Sequence, residues 1–201
     1  MLRRQTVPAI MLTVLASLVL GIAYPLAVYG IGQLAFRQQA DGAPIMRDNR
    51  VVGSSRLGQP FNDPAGNPLP QYFQPRPSAA GNGYDGTASG GSNLGPSDPR
   101  LLAAVSQRTV AFRTFNHLPA NQPVPIDAVT ASGSGLDPDI SVANADLQAP
   151  RVAAARHLTP DTVTALVRDH TTARALGFLG ETRVNVVELN LALDQLPPRP
   201  R

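Results

Sequence analysis

Apolar residues are concentrated near the start of this chain, and that concentration is its dominant pattern. From Gln5 to Phe36 there is no charged residue, and most positions are Ile, Leu, Val, Ala or Gly. At about 1.5 Å of rise per residue, a helix over Val7–Gly30 would be roughly 36 Å long, which exceeds a hydrocarbon core of about 30 Å. The pattern therefore predicts a transmembrane helix at 7–30 and a membrane-interface extension at 31–36.

The charges that flank this segment predict its orientation. Two arginines and the amino terminus lie in residues 1–6, whereas the other side has the single Arg37, soon followed by an aspartate. Because basic residues stay on the cytoplasmic side of a membrane, residues 1–6 are expected in the cytoplasm and 37–201 outside it. A cleaved signal peptide also has a basic start, but its apolar core has only about 7–15 residues.

Within the apolar segment, small residues recur at every fourth position, and a proline continues the row. Small side chains let a second helix approach closely, and a proline bends a helix because it removes a backbone donor. This small-residue row is a candidate contact with partner helices, the alternative being a lipid-facing anchor: Ala9, Thr13, Ser17, Gly21 and Pro25.

The rest of the chain mixes short strand and helix patterns, which predicts one α+β domain over residues 37–201. A hairpin is expected where Ile45-Met46 and Arg50–Ser54 flank Asp48-Asn49. Residues 58–98 are dense in Pro and Gly, a composition that usually means disorder. The interleaved aromatic residues favour instead an ordered loop pinned on a core: Phe61, Tyr72, Phe73 and Tyr84.

Capping residues predict three helices in this domain, with N-caps at Ser97, Ser141 and Thr159. The first helix is expected to bury one face: Leu102, Val105, Phe112 and Phe115. Residues 128–131 have the character of a short strand. Pro150 is expected to open a new turn rather than lie inside a helix.

The last apolar segment is ambiguous in the sequence. Alternating apolar residues over 187–193 are typical of a strand. Asn185 and Glu188, however, have the spacing of a capping box, in which two side chains satisfy the free backbone donors of a helix start. The interpretation as a helix is preferred.

Composition excludes several kinds of chemistry. The chain has no cysteine, so disulfides, thiolate nucleophiles and Cys-ligated metals are impossible. All 17 basic residues are arginine, which excludes a P-loop lysine, a Schiff-base lysine and a Ser–Lys dyad. Beyond Phe36, 15 arginines are interspersed with 14 acidic residues, a net charge of +1. There is no basic face of the kind that nucleic-acid binding needs.

No catalytic or metal-binding constellation is visible. Residues 81–86 match G-x-G-x-x-G, but the strand and helix that a dinucleotide site requires are not predicted around them. The three histidines lie near predicted helix ends without metal-ligand spacing: His117, His157 and His170. The chain is therefore expected not to be an enzyme by itself, and no cofactor or metal is assigned to it.

Four strings carry a resemblance to a known family. They are RPSAAGNGYDGTASGGSNLGPSDPRL at 76–101, VTASGSGLDPDIS at 129–141, QAPRVAAAR at 148–156 and LGFLGETRVNVVELNLAL at 176–193. With the single N-terminal helix, they resemble the C subunit of the bacterial Kdp potassium-transporting P-type ATPase, the KdpC family. The resemblance spans nearly the whole chain.

The resemblance implies a single-pass subunit of an inner-membrane complex that takes up potassium with high affinity at the expense of ATP. The implied partners are a potassium-selective channel-like subunit, a P-type ATPase subunit and a small single-helix subunit. ATP and K⁺ belong to the complex as a whole. The family's C subunit is described as a catalytic chaperone that raises the affinity of the ATPase subunit for ATP.

The predicted orientation favours a second function. A domain outside the membrane would be separated from the nucleotide and could instead cap the potassium entrance of the channel-like subunit. A tethered scaffold of another complex is a further alternative. The candidate contact surface for a partner or ligand lies in the loop over 72–97: Tyr72, Arg76, Ser78, Ser89, Gly90, Gly91, Ser92 and Asn93.

Overall fold

The computed structural model describes residues 2–196, with side chains described from Arg4 onward. The chain divides into two units at residues 44 and 45. The first unit is helical, and the second contains both helices and antiparallel strands. The predicted α+β class is therefore confirmed.

The first unit consists of helices α1 (Leu2–Leu18), α2 (Tyr24–Ala35) and α3 (Arg37–Ala40), with a π turn at Val19–Ala23. From Arg4 to Ala35 the helix runs through the π turn, and over these 32 residues it is long and apolar enough to cross a membrane. None of its apolar window is buried inside the protein.

The π turn ends at Ala23, two residues before Pro25. The backbone N–H of Tyr24 donates to the carbonyl of Val19, five residues earlier. A proline lacks an N–H and its ring clashes with the carbonyl four residues before it, so a regular α-helix is unfavourable at this point. The irregularity that Pro25 predicts takes the form of this π turn.

The second unit begins with a β-hairpin, as the sequence predicts. Strand β1 (Pro44–Arg47) pairs with β2 (Arg50–Ser54). The two linking residues, Asp48 and Asn49, have φ angles of 49° and 61°. Asp and Asn tolerate this left-handed conformation, and two such residues form the tight turn that matches the twist of a hairpin.

The core of the second unit lies between a three-stranded antiparallel sheet and three helices. The sheet has the order β3 (Asp139–Ser141), β5 (Arg183–Asn185), β4 (Thr171–Thr172). Val184 of the central strand is opposite both Ile140 and Thr171. The helices are α5 (Val142–Ala155), α6 (Pro160–Asp169) and α7 (Val186–Leu193). Fully buried apolar side chains from these elements form one cluster: Ile140, Val152, Val163, Val167, Val184, Val186, Leu189 and Leu193.

Local capping explains where three of these elements begin. Ser141 and Thr159 cap α5 and α6 as predicted, by accepting the backbone N–H groups of Asn144 and Thr162. The final apolar segment is helical, as preferred, because the Asn185 side chain accepts the N–H of Glu188 at 3.1 Å. Strand β5 ends where this cap begins.

Helix α4 (Pro99–Phe115) differs from its prediction at two points. Its N-cap is Asp98, not Ser97, because the Asp98 carboxylate accepts the N–H of Arg100 at 2.8 Å. Leu102 is 57% exposed, so the expectation that it is buried is wrong. The inward face includes Arg108, whose guanidinium donates to the carbonyl of Val129 at 3.0 Å. Leu102 lies at the edge of the face shared by Val105, Phe112 and Phe115, about 60° to 140° around the helix from them, and so faces solvent.

Two further expectations are wrong. Residues 128–131 do not form a strand. A short 3-10 helix at Ile126–Ala128 comes first, and Thr130 then bonds back to the carbonyl of Ile126. Pro150 lies inside α5. It is exposed, and so is Asp146, whose carbonyl loses its helical partner. Water can satisfy a carbonyl on that face, which makes the proline tolerable there.

Candidate functional site

The predicted ordered loop is fixed to the core by two side-chain amides. Phe73 is fully buried, its N–H donates to Asn190 Oδ1 at 2.9 Å, and its carbonyl accepts from Asn190 Nδ2 at 2.9 Å. Gln74 makes the same reciprocal pair with Gln148, at 2.7 and 3.0 Å. The two amides satisfy the loop backbone as a neighbouring strand would. Both come from helices, α7 and α5.

Arg151 of α5 is the centre of this attachment. Its Nη1 donates to the carbonyls of Pro70 and Tyr72, and its Nη2 donates to Gln148 at 2.9 Å. Its Nε donates to Asn116 Oδ1 at 2.9 Å, just beyond the end of α4. The guanidinium also lies 4.3 Å from the ring centroid of Phe115, a cation–π contact. One buried side chain thus joins the loop, α4 and α5.

The charge of Arg151 is held by neutral acceptors. Within residues 2–196, the ion pairs involve other arginines: Arg37, Arg76, Arg100, Arg156 and Arg183. Burial lowers the pKa of Arg151 to about 10, so the group is still charged at neutral pH. A buried cation is costly unless its donors are satisfied, and carbonyl and amide oxygens satisfy them here.

A second arginine, Arg156, holds the start of the loop. It donates to the carbonyl of Gln71 at 2.6 Å and to the carboxylate of Asp194 at 2.7 Å, and its guanidinium stacks on the Tyr72 ring. The Tyr72 hydroxyl donates to the same carboxylate at 3.1 Å. Burial and the nearby Asp194 charge raise the pKa of Tyr72. Tyr72, a predicted contact residue, is therefore part of this attachment.

The outer half of the loop packs on the segment 131–137. Ser78 Oγ donates to the carbonyl of Gly135 at 2.6 Å and accepts the backbone N–H groups of Ala80 and Tyr84. Farther along, Ser89 Oγ and the N–H of Gly90 both donate to the carbonyl of Ser134. Two of the strings that carry the family resemblance are thus in direct contact.

Arg76 contacts Asp137 and also lines a pocket beside helix α4. Its Nη1 is 3.3 Å from the carboxylate of Asp137, while its buried Nε has no hydrogen-bond partner in the described part of the chain. Its carbonyl accepts the hydroxyl of Tyr84 at 2.8 Å, and burial raises the pKa of that phenol. Arg76 lines a pocket of about 400 Å³ that also includes Arg108 and Phe112 of α4.

The structure brings together five of the eight predicted loop residues. Arg76, Ser78, Ser89, Gly90 and Gly91 all lie against residues 131–137. Tyr72 lies in the Arg156 cluster instead. Ser92 and Asn93 are exposed, and Asn93 has a φ angle of 53°.

Sequence reasoning missed the polar residues that hold the loop: Asn116, Gln148, Arg151, Arg156 and Asn190. One signal was available. Gln148 and Arg151 are three residues apart, and they share the helical face of Ala145, Ala149 and Val152, which is buried. Polar side chains on an apolar face need partners, and a proline-rich loop whose aromatic residues require a core supplies them.

The three histidines lie at helix ends, as expected. His117 and His157 follow α4 and α5 with φ angles of 55° and 56°, and His170 Nδ1 is 2.9 Å from the carbonyl of Leu166. No group of three or more His, Asp or Glu side chains in the described residues is placed to hold a metal ion.

In the first unit, Thr13 and Ser17 of the small-residue row line a shallow groove with Leu12, Ala16 and Leu20. In a regular α-helix, positions four apart are rotated by about 40°. A π turn has longer, i to i+5 hydrogen bonds, so Gly21 and Pro25 lie more nearly above Ser17 than a regular helix would place them. A Cβ added at Gly21 would meet nothing within 4 Å.

These features define a class of protein: one helix of membrane-spanning length and an α+β unit whose longest loop is held by side-chain hydrogen bonds. A model of the family KdpC, the c chain of the K⁺-transporting ATPase, matches residues 6–195. The chain belongs to this family, whose members are subunits of the multi-subunit Kdp potassium-transporting ATPase.

Curated relatives agree along nearly the whole chain. The potassium-transporting ATPase KdpC subunit of Mycobacterium tuberculosis (strain H37Rv) is 56% identical over 195 residues, which cover 97% of this chain and 100% of that protein. The KdpC subunit of Gemmatimonas aurantiaca is 53% identical, over 94% of this chain and 92% of its own length. That of Koribacter versatilis is 43% identical, over 99% and 98%.

Replacing the central arginine should destabilise the second unit. In Arg151→Ala, the acceptors at Pro70, Tyr72, Asn116 and Gln148 lose their donor in a buried site. We expect the free energy of unfolding to fall by about 3 to 5 kcal/mol. Urea unfolding of the full chain in detergent, followed by circular dichroism, measures this. The exposed Arg168→Ala should change it by less than about 0.5 kcal/mol; equal effects would contradict the assignment.

The contact between the loop and residues 131–137 has its own test. A Cβ at Gly135 would lie 2.6 Å from the Gly90 carbonyl oxygen and 2.7 Å from the Ala80 nitrogen, and φ there is +68°. Gly135→Ala should therefore cost about 1 to 3 kcal/mol and increase proteolysis within the loop. Gly86→Ala is the matched control, because nothing lies within 4 Å of its Cβ. Wild-type loop protection in Gly135→Ala would show that this packing is dispensable.

Proposed function

We propose that this chain is a non-catalytic, single-pass accessory subunit of a high-affinity, ATP-driven potassium uptake complex in the bacterial inner membrane. In this proposal residues 1–6 are cytoplasmic, 7–30 span the membrane, 31–36 lie at its interface, and 37–201 form a periplasmic domain. The observation that carries the orientation is the apolar helix at Arg4–Ala35 with basic residues concentrated before it.

The domain's role in this proposal is that of a cap over the potassium entrance of the channel-like subunit, stabilising the assembly. The fixed loop supports it. Its inner residues are held by Arg151, Arg156, Gln148 and Asn190, while stretches at 81–83, 85–89 and 92–93 are exposed. A preorganised surface loses little conformational entropy on binding, which favours contact with a large protein partner.

In this arrangement, the chaperone role attributed to the family is indirect. A periplasmic domain raises the affinity of the ATPase subunit for ATP through the channel-like subunit or through membrane helices, without contact with the nucleotide. The partners in this proposal are the channel-like subunit, the P-type ATPase subunit and the small single-helix subunit.

One observation favours a second function. The pocket beside Arg76 and Arg108 is also lined by Phe112, Phe115 and Tyr84, so cationic and aromatic groups meet in one concave site. Such a site suits an anionic ligand with an aromatic part, a class that includes nucleotides. Direct nucleotide binding there requires the domain to be cytoplasmic, so the topology of the chain separates the two functions.

A reporter fusion tests the orientation. Alkaline phosphatase, which is active only in the periplasm, is fused after Arg201 of the full chain. We expect high activity, because the basic residues in 1–6 hold the amino terminus in the cytoplasm. A fusion after Gln5, ahead of the apolar segment, should be inactive. An inactive Arg201 fusion that is expressed at the same level would reject the cap and favour nucleotide binding.

Substitutions in the anchor test its contact with partner helices. Gly21→Leu and Ser17→Leu enlarge the small-residue row, so we expect several-fold less complex to be recovered by affinity purification through a partner subunit. Ala23→Leu places the same side chain two residues farther on, nearly opposite Gly21, and should leave the yield unchanged. Equal yields for all three variants would favour a lipid-facing anchor.

A further inference from the structure

The connection between β4 and β5 projects from the second unit. Residues 172–183 are all exposed, although the two strands at their base pair with each other. Val184, directly after the connection, is fully buried. The base is therefore fixed in the core, while the connection itself contributes nothing to that core.

The tip of this connection is apolar. Leu176, Phe178 and Leu179 are 83%, 69% and 50% exposed. Single exposed apolar residues are ordinary, but three large ones within four positions of a projecting loop make a contiguous patch. Such patches mark surfaces that another protein or a membrane covers.

The backbone of the tip is fixed rather than loose. Ala175 and Leu179 exchange two backbone hydrogen bonds, both 2.9 Å long, and the N–H of Gly177 donates to the carbonyl of Arg174 at 3.1 Å. Leu176 has a φ angle of 52°, in the left-handed region that is unfavourable for a branched side chain. The turn thus holds a strained leucine in a defined position where 83% of its surface is exposed.

We propose that residues 174–181 are a docking protrusion, which inserts Leu176, Phe178 and Leu179 into an apolar pocket on another subunit of the Kdp complex. The inference rests on the proposed function as an accessory subunit, and it names the element that makes the contact. Large apolar anchors in a pocket, surrounded by polar residues, are typical of the centres of protein interfaces. Arg174 and Glu181 flank the tip and supply such a rim.

The tip is better suited to a protein pocket than to a lipid surface. A bilayer accepts an apolar loop in any conformation, so it gives no reason for a hydrogen-bonded turn with a strained leucine. Segments that bind membranes also carry excess basic charge. Here Glu181 offsets Arg174, and the Arg183 guanidinium is 2.8 Å from the Asp139 carboxylate. A shaped protein pocket accounts for both the rigidity and the charge.

The absence of cysteine allows a direct test, because each substitution introduces a unique thiol. Phe178→Cys and Leu176→Cys are made in the full chain, and their rates of reaction with a polar maleimide are measured in detergent. Rates are compared between the chain alone and the assembled complex. Leu102→Cys, another exposed leucine, is the matched control. Unfolding curves of the variants verify that the domain stays folded.

In the complex we expect the thiol rates of Phe178→Cys and Leu176→Cys to fall on the order of tenfold or more, because a covered thiol reacts only when the interface opens. Leu102→Cys should react equally fast in both states. Failure of the two tip variants alone to assemble would also support the proposal. Tip thiols that react equally fast in the complex and in the chain alone would overturn it.

A second experiment, which is the second arm of the test, shows whether a protein or a lipid surface covers the tip. The chain alone is reconstituted into vesicles of phosphatidylethanolamine and phosphatidylglycerol, without partner subunits. Because a polar maleimide does not cross the bilayer, each tip rate is divided by that of Leu102→Cys in the same vesicles, which corrects for domains that face the lumen. We expect this ratio to be the same as in detergent; a lower ratio in the vesicles alone would overturn the proposal in favour of a lipid surface. Neither arm depends on which side of the membrane the domain occupies. An inactive Arg201 fusion with a protected tip would therefore reject the cap and leave the docking protrusion standing.

Discussion

The order of the second unit depends on one buried cation. Arg151 is in a site where a charge without partners would cost several kcal/mol, and its four acceptors come from three separated places in the sequence: residues 70 and 72, residue 116, and residue 148. Helix α5 can bury this side chain only when the loop and the end of α4 are in place. Arg151, in turn, donates to the loop carbonyls of Pro70 and Tyr72. The three parts therefore order together.

This dependence explains how a segment rich in proline and glycine becomes rigid. Each proline removes one backbone N–H that would need an acceptor, and it reduces the conformational freedom that the unfolded chain would lose. The donors of Phe73 and Gln74 are met by side-chain amides of α7 and α5. Little secondary structure is needed, because helices supply the hydrogen bonds that a strand would normally give.

The sequence predicted features that depend on neighbouring residues, and it missed features that depend on contacts between distant residues. The hairpin at Asp48-Asn49 and the helix after Asn185 were predicted because turn and cap chemistry lies within a few residues. The exposure of Leu102 was missed because this residue lies at the edge of the helical face that Val105, Phe112 and Phe115 share. The loop's aromatic residues indicated order. Gln148 could be recognised only from its position beside Arg151 on an apolar helical face, and Asn190 gave no signal because its partner, Phe73, is 117 residues away in the sequence.

The structure also constrains how such a subunit acts. In the proposed topology, this chain reaches the cytoplasmic side only through its helix and residues 1–6, so any effect on ATP affinity must pass through contacts with other subunits. A coupling free energy of that kind requires surfaces with different contacts in two states of the complex. A rigid domain transmits such differences better than a flexible one, because it does not absorb them by rearranging. In that topology the role of the buried arginine is to keep the domain rigid by fixing the loop to α4 and α5.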